Sequence, residues 1–448
     1  MGSEFQHCTI GDLCDSGCAA LQTGPFGSQL HASDYTDTGI AVVPTEAIQE
    51  RRIDHSVLPR INEAKARELR RHRLEAGDIL FARRGAQATG RVALVRPSEV
   101  GFLCGTGAIR LRLGDEVSSD YVSHVLSSPA THAWLRTRAI GATMPNLNRA
   151  VIRSVPLSLP PLSEQTTIGR FLTSFDDKIE LNRRTNHTLE SISRAIFKSW
   201  FVDFDPVRKK MEDRTGGELG LPPSLAARFP DTLVSTSIGP VPRGWDVRDL
   251  ASLVHLVTER VEANGEKDQE RYVALDDMPS RSVDLNSWRA GSNVNSSITR
   301  FHAGDILFGS MRPYFHKVGL APFRGITRTT TFVLRPVSDV LQAFALMQLS
   351  SDEVVEYATT CSVGSTIPYV RWGTLGAYRV AVPPEVLLGP FQAICSDLFA
   401  RMHANSESGR LLEDLRDVLL PRLITGLVTT NSSCDSRAST VGARCEFR

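Results

Sequence analysis

The sequence predicts an α+β protein: two tandem mixed α/β domains, each followed by a long helix, with the two helices pairing as an antiparallel coiled coil. Three observations predict it. Gly141 to Arg149 (GATMPNLNR) is echoed 223 residues on by Gly364 to Trp372 (GSTIPYVRW). At the same offset, Ser154 to Pro161 (SVPLSLPP) is echoed by Ala377 to Pro384 (AYRVAVPP). The offset also relates two heptad seams, Ile168, Phe175, Asn182, Leu189 and Ile196 against Phe391, Leu398, Asn405, Leu412 and Leu419. Each match alone is weak, but their common order along the chain marks a duplication.

The elements follow in order. Residues 6–158 read as a mixed globular domain. Short β-like runs (Ile40 to Pro44, Asp78 to Arg84, Arg91 to Pro97) alternate there with helical runs such as Asn62 to Arg73. Asp78 to Phe81 (DILF), preceded by Ala-Gly, recurs as Asp305 to Phe308 at an offset of 227, so the domains share a frame with small insertions. A strand after a Gly-Asp turn accounts for that motif structurally. Residues 159–210 hold the first spacer helix. It starts after Pro160-Pro161 with Ser163 as its expected cap and Gln165 nearby, runs to about Phe201, and is closed by Pro206. Residues 211–236 form a polar connector. A second domain, 237–382, opens on Ser237 to Trp245 (SIGPVPRGW). The second helix, 383–426, is expected to end near Ile424 at the stop residue Gly426. The small polar tail, 427–448, is expected to be disordered.

A helix of roughly 38 residues is ~57 Å long and cannot be covered by its own domain, so its stripe must be buried elsewhere. Pairing the two helices is the simplest answer, and a coiled coil with another protein is the alternative. A companion seam is expected at Phe171, Lys178, Thr185 and Ile192, against Ile394, Arg401, Ser408 and Leu415. Both seams turn polar at mid-helix, and antiparallel pairing sets polar centre on polar centre. Buried Asn182 and Asn405 are then expected to fix register at a cost in stability.

Composition excludes little. The 448 residues carry a net charge of +1, yet Arg51 to Arg112 holds 14 Lys or Arg against 6 Asp or Glu, a local excess suited to phosphates. No run approaches the ~18 apolar residues of a membrane span, and no secretion pattern opens the chain, so no membrane partner and a cytoplasmic location are expected. Eight scattered cysteines fit reduced thiols. His7, Cys8, Cys14 and Cys18 lack the paired spacing of a zinc site, so no metal is expected.

Enzyme signatures are missing. None of the Pro-Pro pairs (LPPL, LPPS, VPPE) follows Asn or Asp, as the base-gripping motif of an adenine methyltransferase requires, and there is no GxxxxGK[ST] phosphate loop. Asp176-Asp177-Lys178 mimics a nuclease carboxylate–lysine set, but it sits mid-helix, where a structural role is favoured. No catalytic residue is expected.

The motifs together resemble a known family. Leu159 to Gln165 (LPPLSEQ), the helix up to Ser199–Val207 (SWFVDFDPV), SIGPVPRGW, and Arg416 to Gly426 (RDVLLPRLITG) are similar to the specificity subunit of type I restriction-modification systems, over nearly the whole chain. The resemblance implies two target-recognition domains, each reading one half of a split site in double-stranded DNA. It also implies that the helices act as a spacer and as docking surface for two modification (methyltransferase) subunits. Restriction (translocase/nuclease) subunits would join them, with S-adenosylmethionine, ATP and Mg carried by those partners and none by this chain. The sequence departs from the family pattern at Val382 to Pro390 (VPPEVLLGP), in place of PLSEQ, and the first domain lacks an IPxGW opening. A coiled-coil scaffold with two ligand-binding domains not specific for DNA is the competing reading.

Reading a base pair calls for Arg against guanine or Asn and Gln against adenine, on elements that phosphate contacts hold in register. The candidates lie in the loops after the DILF strands and before the long helices. In the first domain they are Arg83, Arg84, Gln87, Arg91, Asn146, Asn148 and Arg149. In the second they are Arg312, Tyr314, His316, Lys317, Tyr369, Arg371 and Trp372. Because these loops differ while the frame repeats, an asymmetric target is expected, with half-sites roughly 10 bp apart.

Overall fold

The computed structural model describes residues 5–85, 87–141, 145–212, 220–261, 270–293 and 297–425. Met144 of the GATMPNLNR repeat, the expected stop Gly426 and the tail lie outside them. The chain divides into two compact units: residues up to Ile179 with those from Arg410 on, and Glu180–Gly409. The division falls inside both long helices, Leu162–Phe197 and Glu385–Ile424, so each unit takes one globular domain and an opposing half of each helix.

The duplication is explicit in the sheets. In the first unit a four-stranded antiparallel sheet runs in the order Ala19–Thr23, Ala108–Leu113, Ile79–Ala82, Val92–Leu94. The second unit repeats it as Val254–Leu256, Thr331–Pro336, Ile306–Gly309, Val318–Leu320. Register repeats too, with Ile79 opposite Leu111 and Ile306 opposite Leu334. Each domain closes on a ribbon of its own ends, Gln6–Thr9 with Pro156–Leu159 and Asp246–Asp249 with Arg379–Val382.

The AGD turn before each central strand has a mechanical role. Gly77 and Gly304 sit at φ +89° and +91°, a region open to glycine at little cost. The following carboxylates, Asp78 and Asp305, are buried and accept from the backbone N–H of Glu75 and His302 at 2.8 Å. Each also accepts two guanidinium hydrogen bonds at 2.7 Å from a neighbouring strand, from Arg112 and from Arg335 respectively. A buried charge needs such pairing.

The long helices bury one stripe each, and it differs from the expected pair of seams. The first seam is half-buried or buried throughout. Its companion lies one residue beyond the expected positions: Leu172, Ile179, Asn186, Ser193 and Trp200 on the first helix, and Cys395, Met402, Gly409, Arg416 and Leu423 on the second, all buried. The expected companions Lys178, Ile192, Ile394, Arg401 and Leu415 face solvent. Two paired helices have room for one stripe, with steps of four and then three residues between seams. The sequence concealed this because Asn186, Ser193, Gly409 and Arg416 look too polar for a core. The helix starts differ as well. Gln165 is buried, donating to the Pro160 carbonyl and accepting from Ser118 N–H at 3.1 Å, while Ser163 sits inside the first turn. Pro390 deprives Val386 O of its intrahelical donor, and Arg228 Nη1 supplies one at 2.9 Å.

Within each unit the helix halves run antiparallel. In the first, Ile168 and Leu172 share a core with Leu420 and Leu423, and Arg416 pairs with Asp176. Arg96 takes Asp177, so the apparent nuclease motif is two ion pairs and an exposed lysine. In the second unit Phe197 and Phe201 pack on Phe391, and Trp245 stands edge-on to Phe204 at 5.4 Å. The SWFVDF and PRGW motifs are therefore core-forming. The polar centre is a network within this unit. Asn182 donates to Asn405 O (3.1 Å) and Asn405 to Asn186 Oδ1 (2.9 Å), while the two protons of Asn186 Nδ2 are shared among Met402 O, Ser406 Oγ and Asp284 Oδ2 (2.9, 2.8 and 3.0 Å). Burial pushes the Asp284 carboxyl above the usual range, and the Ser406 and Asn186 hydrogen bonds oppose that.

Two outcomes are expected. Asn186→Leu leaves Asp284 and Asn405 short of partners and lowers stability by about 1–3 kcal/mol per stranded group in urea unfolding, with Asp284→Asn partly restoring it. His124 is held near pKa 3 by burial, reinforced by Arg51, Arg416 and Arg96. The folded state keeps it neutral while the unfolded chain takes a proton below about 6.5. Stability of the first unit therefore declines as pH falls from about 6.5 towards 3, and His124→Gln flattens that decline in calorimetry across this range.

Candidate nucleic-acid interface

In both units the chain leaving the second central strand meets the loop that precedes the last strand, through the same backbone bonds. In the first unit Leu147 N–H donates to Arg83 O at 2.8 Å, and Asn146 bridges both Arg84 and Ile140. In the second, Val370 N–H donates to Ser310 O at 2.9 Å, and Tyr369 bridges both Met311 and Val363. The two loop pairs are thus equivalent residue by residue, with Arg84 and Asn146 in the places of Met311 and Tyr369.

The first pair is hydrogen-bonding in character. Arg83 is half-buried and its Nε donates to Asn146 Oδ1 at 2.9 Å, which orients the amide. Arg84 is exposed. It lies against Gly107, where a Cβ would come within 2.7 Å of Arg84 Nε. Arg83, Arg84 and Asn146 line a cleft of about 230 Å³ with Phe26, Gly27 and Thr106. Gln87 is exposed in the turn. Arg91 is drawn away, donating to Gln49 Oε1 at 2.6 Å. Asn148 caps the helix Arg149–Arg153 by accepting from Val151 N–H at 2.8 Å, and Arg149 is exposed beside it.

The second pair is a strained turn with an apolar face. Arg312 and His316 flank the 3-10 turn Pro313–Phe315 at φ +49° and +52°, and Arg281, at φ +58°, donates its N–H to His316 O. Left-handed residues of this size persist only where their surroundings fix them. Here Arg312 N–H donates to Pro368 O, Ser280 Oγ to Phe315 O, and Lys317 Nζ to Leu275 O at 2.7 Å. The turn holds Tyr314 and Phe315 outward, 51% and 42% exposed and 4.8 Å apart, with the Arg312 guanidinium 5.9 Å from the Phe315 ring. Tyr369 is 41% exposed alongside, and Arg371 is exposed ahead of the helix Trp372–Leu375.

In the second unit three of the expected contact residues serve the protein's own structure, as Arg91 and Asn148 do in the first. His316 is buried and its Nε2 lies 2.9 Å from Ser350 O, with burial lowering its pKa. Trp372 packs edge-on to Phe332 and against the core. Lys317 holds a backbone carbonyl. Phe26, Met311, Phe315 and Ile367 lie beside the expected residues and go unnamed in the sequence reading, because a search for hydrogen-bonding side chains passes over apolar ones. An aromatic pair next to Arg-Pro in a polar loop was the available signal. Among the described residues no cluster of three or more His, Cys, Asp or Glu could hold a metal ion, and no helix is long and apolar enough to cross a membrane.

Comparison with known proteins agrees with this architecture. Residues 3–191 match the family model described as the type I restriction modification DNA specificity domain. The HindI type I restriction enzyme specificity subunit of Haemophilus influenzae is 24% identical over 329 residues, 63% of this chain and 71% of that protein. The MjaIX specificity subunit of Methanocaldococcus jannaschii is 24% identical over 331 residues, 70% of this chain and 69% of its own. The crystal structure of a type I restriction-modification S subunit from M. genitalium shares the fold, with a TM-score of 0.53 at 15% identity, across 94% of this chain and 96% of that one. Residues 3–191 thus match a type I DNA specificity domain, and with its duplicated domains and paired helices the chain is similar along most of its length to the specificity subunits of type I restriction-modification systems.

Proposed function

We propose that this chain reads an asymmetric, split sequence in double-stranded DNA, one half with each loop pair, and directs methylation and cleavage by partner subunits. The observation that carries it is the equivalence of the loop pairs in backbone and their difference in chemistry. One frame used twice with unlike side chains reads two unlike half-sites. The chain itself is non-catalytic in this account. S-adenosylmethionine, ATP and Mg act on the modification and restriction subunits. Two modification subunits would dock on the solvent-facing apolar side chains of the long helices, Leu181, Ile192 and Ile394 in one unit and Leu411, Leu415 and Val418 in the other. Within the loops, Arg84 and Asn146 are the base readers of the first half-site, with Arg83 orienting Asn146. Arg149, Gln87 and Arg371 are placed for phosphates or base edges. Arg312, Tyr314 and Tyr369 read the second half-site.

Two outcomes test this. Duplex binding by the complex with its modification subunits should weaken linearly in log salt, with a slope set by the phosphates neutralised. A salt-independent association, or none, would favour the scaffold reading. Arg84→Ala should cost about 1–3 kcal/mol at the first half-site and leave the second unchanged, as judged by competition with half-site mutants. An equal loss on every sequence would make Arg84 a phosphate contact.

A further inference from the structure

Resting on that reading, we infer that the second unit recognises its half-site in part through thymine methyl groups. The argument starts from the equivalent positions. Where the first unit presents Arg84 and Asn146, the second presents Met311 and Tyr369, held by the same two bridges. Met311 is half-buried, and around it Tyr314, Phe315, Val363, Ile367 and Tyr369 are exposed, Ile367 at 46%. The Arg312 N–H to Pro368 O bond and the Tyr369 bridges join the 311–315 and 363–369 segments into one surface.

A contiguous exposed patch of large apolar side chains marks an interaction surface, and here left-handed backbone at Arg312 and His316 holds Tyr314 and Phe315 in it. With Arg312 and Arg371 at its edges, the patch suits an anionic partner whose recognition surface is locally apolar. In the major groove that surface is the 5-methyl group of thymine. Ile140 and Val363 are apolar in both units, so the distinguishing feature is the replacement of Arg84 and Asn146, together with the raised Tyr314–Phe315 turn. The hydrogen-bonding pair of the first unit suits guanine and adenine. The second unit's pair, a thioether and a phenol, offers a broad apolar surface and a single hydroxyl donor in place of a guanidinium and an amide, so it suits methyls better than paired acceptors.

The test uses the full chain co-purified with its modification subunits and duplexes carrying its target. Deoxyuridine replaces thymidine, one position at a time, which removes a methyl and leaves base pairing intact. The expected result is a loss of about fourfold in affinity at one or more thymines of the second half-site. In Phe315→Ala or Tyr369→Ala that thymine-over-uracil preference should disappear, while discrimination at the first half-site persists and reports an intact fold. Phe315→Leu should retain the preference. Uracil tolerated at every such thymine, a second half-site of G·C pairs alone, or a preference surviving in both alanine variants would each overturn the inference. Brightening of 2-aminopurine beside a uracil-tolerant site would overturn it in favour of aromatic wedging between base steps. Loss of sequence preference at both half-sites of the unmodified protein would overturn the proposed function itself, and this assignment with it.

Discussion

Two helices of 36 and 40 residues must each hide an apolar stripe along their whole length, and the rest of the chain is arranged around that need. Neither globular domain is large enough to cover one helix. Each helix therefore enters two cores in succession, and each core receives one half of both helices. The consequence is visible in the core of the first unit, where Ile168 and Leu172 share cover with Leu420 and Leu423. Residues some 250 positions apart must meet before that core is complete, so the fold depends on long-range closure. In the second unit the Asn182–Asn405–Asn186–Asp284 network ties the two helices together, and a one-turn slip would strand buried donors and a buried carboxyl.

On this frame duplication separates what must stay from what can change. The Gly-Asp turns, the Asp78–Arg112 and Asp305–Arg335 pairs, and the ribbons of domain ends recur because they set strand position. The loops those strands carry differ: Arg84 and Asn146 in one unit, Met311 and Tyr369 in the other. A rigid sheet that ends in loops tied by two or three backbone bonds can exchange side chains at the tips without disturbing the core. That is a suitable device for a protein whose task is to choose a sequence.

Much of this was legible in the residues. The offset of 223 predicts the equivalence of Asn146 and Tyr369, and it predicts the antiparallel helices with a polar middle. The AGD motif announced a turn and a strand, and it proved to be that. The companion seam was displaced by one position because polar Asn186, Ser193 and Arg416 lie inside, satisfied by partners that no local pattern reveals. His316 and Trp372 resembled contact residues because loop polarity says nothing about what folds back on the loop. Phe315 was invisible for the opposite reason. An apolar residue in sequence defaults to the core, and only a left-handed turn fixed by Arg281, Pro368 and Leu275 keeps it outside.

The central claim is that one chain selects one split, asymmetric sequence by two unlike readings. A single-molecule methylome of the source cells, with and without the gene, addresses it most directly. Loss of a single bipartite methylated motif with unlike halves, and of no other motif, is the predicted result. A methylome unchanged by deletion, in cells shown to express the chain and its modification partner, would contradict it.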